Sequence, residues 1–346
     1  MASAHPATRI AVVGAGMAAA PHLASLRDLA AKADVVWFVG RTPDRITAAA
    51  AQFAGAKLTT SLDDVLGDAT VAAALVLTPP NTHLEIVSRL AAAGKHVLLE
   101  KPREGDTVRA REVVEACRAC GVRLGVVLQH RTRAAAVAMV ERVRDARLGE
   151  MVCAAVDMRW WRPQSYYDEP GRGTRARDGG GVLMTQGIHL LDLFLEIAGM
   201  PSQVAAFAGT SAAHRMECED VVAAALRYPN GAVATVNTTT AAYPGFPERI
   251  EYSGTKGTAT LAAGRLDVRY LDGRHETVGE QQDGGSGADP MDFSHQPHRA
   301  VIEDFLDAIA ADREPLLTGA GALRVHCLID RLLESAASRM VVSCGS

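Results

Sequence analysis

In the first third of the chain, short apolar runs rich in β-branched residues alternate with Ala-rich stretches whose apolar positions recur at helical spacing. That rhythm predicts strands at 8–13, 34–39, 72–77, 96–99 and 123–128, and helices at 17–31, 43–54, 61–66, 82–93 and 105–120. Strand, crossover helix and parallel strand repeated in this way build a doubly wound parallel sheet. Beyond residue 130 the pattern changes to consecutive strand-like segments: VCAAVDMRW, QVAAFAGT, DVVAAALRY, AVATVNTTT, RIEYSGTKGTATLAA and RLDVRYLDG. Polar turns join them, which predicts a mainly antiparallel open sheet. Between the first of these strands, GGGVLMTQGIHLLDLFLEIAG sets Leu183, Ile188, Leu191 and Leu195 on one helical face before Gly199 stops it. Helices at 297–312 and 319–340 close the chain, and 279–291 reads as a mobile loop. The expected class is α/β, with a doubly wound N-terminal domain over 1–130 and a C-terminal α+β domain over 131–346.

Composition narrows the partners. A hydrophobic fraction of 48% in 346 residues supplies apolar material for two buried cores. The 36 Lys and Arg against 40 Asp and Glu leave a net charge of -4, so neither nucleic acid nor a membrane surface is an expected partner. The sequence shows no apolar run of the roughly 18 residues a bilayer span needs and no leader-like N-terminus, so a cytoplasmic location is expected. Cysteines are sparse and read as reduced thiols. Cys117 and Cys120 form a C-x-x-C, but no second pair follows and the surrounding periodicity reads as a half-buried helix face. No metal is expected.

The chemistry begins at RIAVVGAGMAAAPHL, an apolar strand running into Gly14-Ala15-Gly16-Met17-Ala18-Ala19 and then a helix. Gly14 permits the tight turn, Gly16 lets backbone approach a pyrophosphate, and Ala19 allows close helix–strand packing. The amides that follow, including those of Met17 and Ala18, would meet the anion at the helix N-terminus. This is a dinucleotide-binding, Rossmann-type signature. The second strand ends Trp37-Phe38-Val39-Gly40-Arg41-Thr42, without the acid that would accept from both ribose hydroxyls. Arg41 and Thr42 suit a 2′-phosphate instead, so NADP(H) is favoured with NAD(H) the alternative. Asp44 reads as the first-turn acid of a helix with Thr42 at the N-cap and Pro43 at the first position.

Further motifs follow: Thr78-Pro79-Pro80-Asn81-Thr82-His83, Gly94-Lys95-His96-Val97 leading into Glu100-Lys101-Pro102, Gly179-Gly180-Gly181-Val182-Leu183, and Gly187-Ile188-His189 with Asp192. With Gly14, Gly16, Ala19 and His22, and with the late Asp304-Phe305 to Arg313-Glu314-Pro315 stretch, they make the chain resemble, over nearly its whole length, the Gfo/Idh/MocA oxidoreductases, the family of glucose-fructose oxidoreductase and inositol dehydrogenase. The resemblance implies that Lys101 contacts the reacting hydroxyl and the nicotinamide while His189 exchanges the hydroxyl proton. Imidazole titrates near working pH, and a lysine ammonium stabilises a developing alkoxide, so the chemistry agrees. Thr78, Pro79, Asn81, His83 and Glu100 are then expected along the cofactor, with Gln129 and Arg131 near the nicotinamide.

One departure is Thr185, which stands where many members carry an Asp four residues before the catalytic histidine. A related group acting on nucleotide-linked amino sugars also has an uncharged residue there. A second pointer toward an anionic sugar is the stretch from Arg159 to Arg177, which holds five arginines together with Trp160, Trp161, Tyr166 and Tyr167. Arginine forks suit phosphates or carboxylates, and aromatic rings suit sugar faces. Arg159, Arg162, Tyr166 and Thr185 therefore join Lys101 and His189 as expected substrate residues, the stretch being either a lid over the substrate or a solvated loop. His295 and His298 are expected to approach substrate from the second domain. The reading is an NAD(P)-dependent oxidoreductase interconverting a secondary alcohol and a ketone on a sugar, cyclitol or nucleotide-sugar, as a homodimer or homotetramer. Two alternatives stay open: a glycosidase that works by transient oxidation, and a non-catalytic dinucleotide sensor.

Overall fold

The computed structural model describes residues 6–16, 18–102, 107–281 and 294–345. The chain divides into two compact units, one formed by 1–129 with 294–323 and the other by 130–293 with 324–346.

The first unit opens β1 (Thr8–Val13), α1 (Ala19–Asp28), β2 (Ala33–Val39), α2 (Pro43–Ala50), β3 (Lys57–Thr59), α3 (Leu62–Gly67) and β4 (Ala73–Val76), and continues α4 (His83–Ala92), β5 (His96–Leu99), α5 (Thr107–Ala119) and β6 (Leu124–Val126). The six strands are parallel in the order β3-β2-β1-β4-β5-β6. Sheets covered by helices on both faces need strands that are apolar throughout, which is why β4 reads AALV and β5 HVLL. Strand order reverses between β1 and β4, and the crevice at such a point is where open α/β sheets bind ligands. Strand β3 was not among the expected strands; it is a three-residue polar edge, KLT, too short and too exposed to leave an apolar signal.

The second unit runs α6 (Ala134–Arg144), β7 (Met151–Arg159), α7 (Gln164–Tyr167), α8 (Arg175–Asp178), a π turn at Leu183–Gly187, and α9 (Ile188–Ala198). Then come β8 (Gln203–Gly209), β9 (Val221–Arg227), β10 (Val233–Thr239), β11 (Arg249–Gly254), β12 (Gly257–Ala262), β13 (Arg265–Tyr270) and β14 (His275–Val278). After α10 (Gln296–Ala310), which belongs to the first unit, α11 (Leu323–Ser338) and β15 (Val342–Ser343) end the chain. The sheet order is β14-β13-β12-β11-β7-β10-β9-β8-β15, antiparallel except for the β7–β10 pair. Helix α9 lies against β7 and β11, with α6 beside it over β12, β13 and β14.

Three expectations change. The boundary at 130 omits a return: α10 carries residues 294–323 back to the first unit, where its apolar face (Val301, Ile302, Phe305, Leu306) meets α1 and Lys32 Nζ donates to Asp307 at 2.8 Å. Thr318 also bridges to Gly125 beside β6. The helix expected through GGGVLMTQGIHLL begins as a π turn, so its residue spacing is not that of an α-helix. Against the expectation that no run is apolar enough, Arg175–Ala198 has the length and composition of a membrane span, yet 83% of its apolar window is buried inside the protein, as in a core helix. Most of the loop expected at 279–291 lies outside the described residues.

Candidate active site

In the first unit the expected cofactor residues stand at the C-terminal ends of neighbouring parallel strands. Gly14 follows β1 with φ +98°, and a Cβ there would sit 3.0 Å from the Leu77 carbonyl carbon, so only glycine fits the turn. A Cβ on Gly16 would meet nothing within 4 Å, which leaves open space over that peptide. Helix α1 has Ala18 at its N-cap, no side-chain cap and no acid in its first turn. Ala19 N already donates to the Gly16 carbonyl at 3.0 Å and Pro21 carries no N–H, so what the start of α1 offers an anion is chiefly the positive end of its dipole, with no acid beside it. Met17 lies outside the described residues. Arg41 and Thr42 are exposed after β2; Thr42 is the N-cap of α2 with Pro43 at its start and Asp44 in its first turn, although the Thr42 hydroxyl makes no capping bond.

After β4, Pro79 is extended and Asn81 exposed in the 3-10 turn Pro80–Thr82. Thr82 Oγ1 donates to Thr78 Oγ1 at 2.8 Å. His83 is fully buried, with Nε2 2.7 Å from the Thr78 carbonyl oxygen. A ring nitrogen facing a carbonyl must donate, so His83, expected along the cofactor, uses this nitrogen to brace the turn at Thr78. Glu100 and Lys101 follow β5, and the Lys101–Pro102 peptide is cis. Burial works against the Glu100 charge, yet His22, Lys101 and His298 together hold its carboxyl below the ordinary range. His22 Nε2 lies 3.7 Å from Glu100 Oε2 and its ring meets His298 edge-on at 5.0 Å. His298 is thereby a buried part of the first unit, and His295 is tied to Asp28 at 2.7 Å, so neither approaches from the second unit as expected. Gln129 is buried at the end of the same unit.

In the second unit, the glycine triplet seats the π turn on the segment that leads into β9. A Cβ on Gly181 would lie 2.0 Å from the Glu219 carbonyl oxygen, and that oxygen accepts from Val182 N at 2.8 Å. Glu219 Oε1 accepts from Leu183 N at 3.3 Å. Thr185 donates its hydroxyl to the Gly181 carbonyl at 2.7 Å, bracing the turn. His189 follows in the first turn of α9, 7% exposed, with its ring stacked on that of His130 at 5.0 Å between centroids.

Arg131, expected near the nicotinamide, grips Asp192 and Glu196 on α9. Burial opposes its charge, but those two carboxylates hold the guanidinium above its ordinary pKa. The arginine-rich stretch is partly packed, through Arg162, Arg172 and Arg177, while Arg159 and Arg175 are exposed. Arg162 is 2% exposed, its guanidinium over the Trp160 and Tyr166 rings at 4.9 and 5.9 Å. The Arg162 carbonyl accepts from His214 Nε2 at 2.8 Å, and His214 Nδ1 meets Asp220 at 2.6 Å. Arg172 donates to the Tyr166 hydroxyl at 2.9 Å and to Glu169, which also takes Arg177. Tyr166 in turn accepts from Gln186 Nε2 at 3.3 Å, linking the stretch to the π turn that precedes His189. Arg159 is different: strand alternation puts it on the face of Ala155 and Asp157, opposite the buried Val156 and Met158, with its guanidinium over Phe246. The sheet therefore separates Arg159 from α9, contrary to its expected place with Arg162. Glu219 and Glu248 were missed because their partners Leu183 and Arg133 are distant in sequence, and the His214–Asp220 pair because it gains its tie to Arg162 only in the fold.

Residues 8–128 match the model of an oxidoreductase family with an NAD-binding Rossmann fold, and residues 136–260 match the GFO/IDH/MocA C-terminal domain. The chain belongs to the GFO/IDH/MocA oxidoreductases. The 1,5-anhydro-D-fructose reductase of Ensifer adhaerens is 31% identical over 229 residues, 65% of this chain and 67% of that one. The inositol 2-dehydrogenase of Rhizobium meliloti is 25% identical over 313 residues, 87% and 89% of the two chains. Among solved structures, the WlbA dehydrogenase from Bordetella pertussis in complex with NADH and UDP-GlcNAcA is 29% identical, with a TM-score of 0.83 over 97% of this chain and 98% of that one. The GFO/IDH/MocA C-terminal match contains the π turn, His189 and Glu248, and the Rossmann match contains the Gly14 turn and Lys101.

Proposed function

We propose that this oxidoreductase interconverts a ring secondary alcohol and its ketone on a sugar substrate, with a nucleotide-linked sugar carrying acid groups as the preferred class. The observation that carries the reading is the open dinucleotide turn at Gly14–Gly16 in the unit that holds Lys101, the other unit holding His189. A bound nicotinamide supplies the acceptor or donor for hydride. Oxidation of a carbinol releases the C–H hydride and the O–H proton; His189 takes the proton, and Lys101 as an ammonium stabilises the alkoxide charge that develops between. In reduction each group works in reverse. Arg162 and Tyr166 serve the substrate, the buried guanidinium suiting a carboxylate or phosphate. The 29% identity to an enzyme solved with UDP-GlcNAcA supports the nucleotide-sugar class, as does the uncharged Thr185.

NADP(H) is the favoured cofactor, because Arg41 and Thr42 are exposed after β2 and the nearest acid, Asp44, is committed to the start of α2. The enzyme works in the cytoplasm as a homodimer or homotetramer. The open face of the nine-stranded sheet supports self-association, since Phe207 is 79% exposed there beside Ala223 of β9, and Val233, nearer the other end of β10, is exposed as well. The test of the activity is fluorescence-monitored oxidation of NADPH and NADH, and reduction of NADP and NAD, against free sugars, inositols and nucleotide sugars. Turnover with a sugar of any of these classes supports the reading; none across the panel in either direction rejects it.

A further inference from the structure

The histidine stacked on His189 has a charged group against each of its ring nitrogens, and these bear on the state of that ring. Arg133 Nη2 lies 2.8 Å from His130 Nε2. A guanidinium has hydrogens to give and no lone pair, so His130 Nε2 must accept, and the ring proton belongs on Nδ1. On that side stands Glu248, its Oε2 3.6 Å from His130 Nδ1 and 3.5 Å from Arg133 Nη1. The imidazole is thus held as one tautomer with a cation against the nitrogen that a second proton would have to occupy. Its flat face lies on His189 at an interplanar angle of 27°. The turn Gln129–Thr132 that carries His130 is anchored to the same helix as His189 by Arg131 on Asp192 and Glu196.

We infer that His130, kept neutral by Arg133, is a positioning residue for His189: an uncharged aromatic wall against which His189 can take and release its proton. The inference rests on the proposed role of His189. Two stacked imidazolium rings would repel, whereas a neutral ring face accommodates a neighbouring cation. The charged and titratable groups around the pair are Arg133, Glu248, Arg131, Asp192 and Glu196, with burial pushing the Glu248 carboxyl upward against the opposing pull of Arg133. Thr185 leaves the usual acidic position uncharged, and in this chain the orienting work passes to a ring.

The experiment is a pH titration of the full chain with ¹⁵N-labelled histidine, reading ring-nitrogen shifts, with His130→Ala and His189→Ala giving assignments. In the wild type His130 is expected as the Nδ1–H tautomer with no second proton between about pH 5 and 8, a window that spans the ordinary imidazole range. Arg133→Met removes the guard while leaving the stack, so His130 is expected to gain a proton and the His189 midpoint to fall by about half a unit or more. His130→Phe, which keeps a flat neutral face, is expected to hold the His189 midpoint where the wild type has it. If His130 protonates in the wild type, or the His189 midpoint is the same in wild type and Arg133→Met, the inference is overturned. These readouts need no substrate, so they fail separately from the sugar panel that tests the role of His189. Should Arg133→Met not fold, the wild-type tautomer still decides.

Discussion

Arg131 holds Asp192 through two hydrogen bonds, Nε to Oδ2 at 2.6 Å and Nη2 to Oδ1 at 2.8 Å, and so ties the turn after β6 to α9 one helical turn beyond His189. Asp192 is fully buried. Removing one member of such a pair strands the other charge away from water, which costs about 3–5 kcal/mol. Asp192→Ala is therefore expected to lower the denaturant midpoint sharply. An Asp192→Leu, Arg131→Met double variant should recover much of the loss. Equal destabilisation in the single and double variants would show that the pair does not act as a unit.

Arg41 is the charged member of the Arg41–Thr42 pair on which the proposed cofactor preference rests. Arg41→Ala should weaken NADPH binding by about tenfold, near the lower end of what one charge-assisted hydrogen bond contributes, and leave NADH unchanged. Fluorescence titration of both nucleotides reads it directly. A parallel loss for both cofactors, or tighter NADH than NADPH in the wild type, removes the assignment of Arg41 to a 2′-phosphate.

Cys117 and Cys120 are neighbours with opposite chemistry. Burial, with a smaller contribution from Cys120, pushes the Cys117 thiol up to about 12, while Cys120 is exposed just past the end of α5. Only thiolates alkylate readily, so iodoacetamide should modify Cys120 in the native protein and Cys117 only after unfolding. Native modification of Cys117, read by peptide mass, would contradict the placement.

Glu219 predicts a pH dependence of stability. Burial raises its carboxyl above the ordinary 4.5, against the hydrogen bonds it accepts from backbone. The folded chain thus binds this proton more tightly than the unfolded chain does. Its contribution is fully present below 4.5 and is lost as pH rises through the raised folded value. Glu219→Gln keeps an acceptor for Leu183 N and does not ionise, so its stability relative to wild type should be greater at neutral pH than at acid pH. Urea midpoints of both proteins across this range test it, and a gap that does not change with pH contradicts it.

What could be read in advance follows the range of the interactions involved. The dinucleotide turn is local: Gly14, Gly16 and the uncapped start of α1 lie within one short segment, and their backbone requirements are visible as residue types. The parallel core is legible for the same reason, since β1, β4 and β5 are apolar on both faces. Strand β3 escaped because an edge strand needs no apolar run. The return of α10 escaped because an amphipathic helix does not say which unit its apolar face will meet. Arg159 was grouped with Arg162 because both are arginines in one stretch, yet alternation along β7 sends it to the opposite face of the sheet. His130 was passed over between Gln129 and Arg131, since its meaning depends on Glu248 and on the ring of His189, both far along the chain.

The central claim is that Lys101 and His189 act on one carbinol during hydride transfer. Once the panel has identified a sugar that turns over, kcat and cofactor Kd measured for wild type, Lys101→Ala and His189→Ala test it most directly. Each substitution should lower kcat by roughly 10²-fold or more with cofactor Kd nearly unchanged. A kcat that survives either substitution would contradict the assignment.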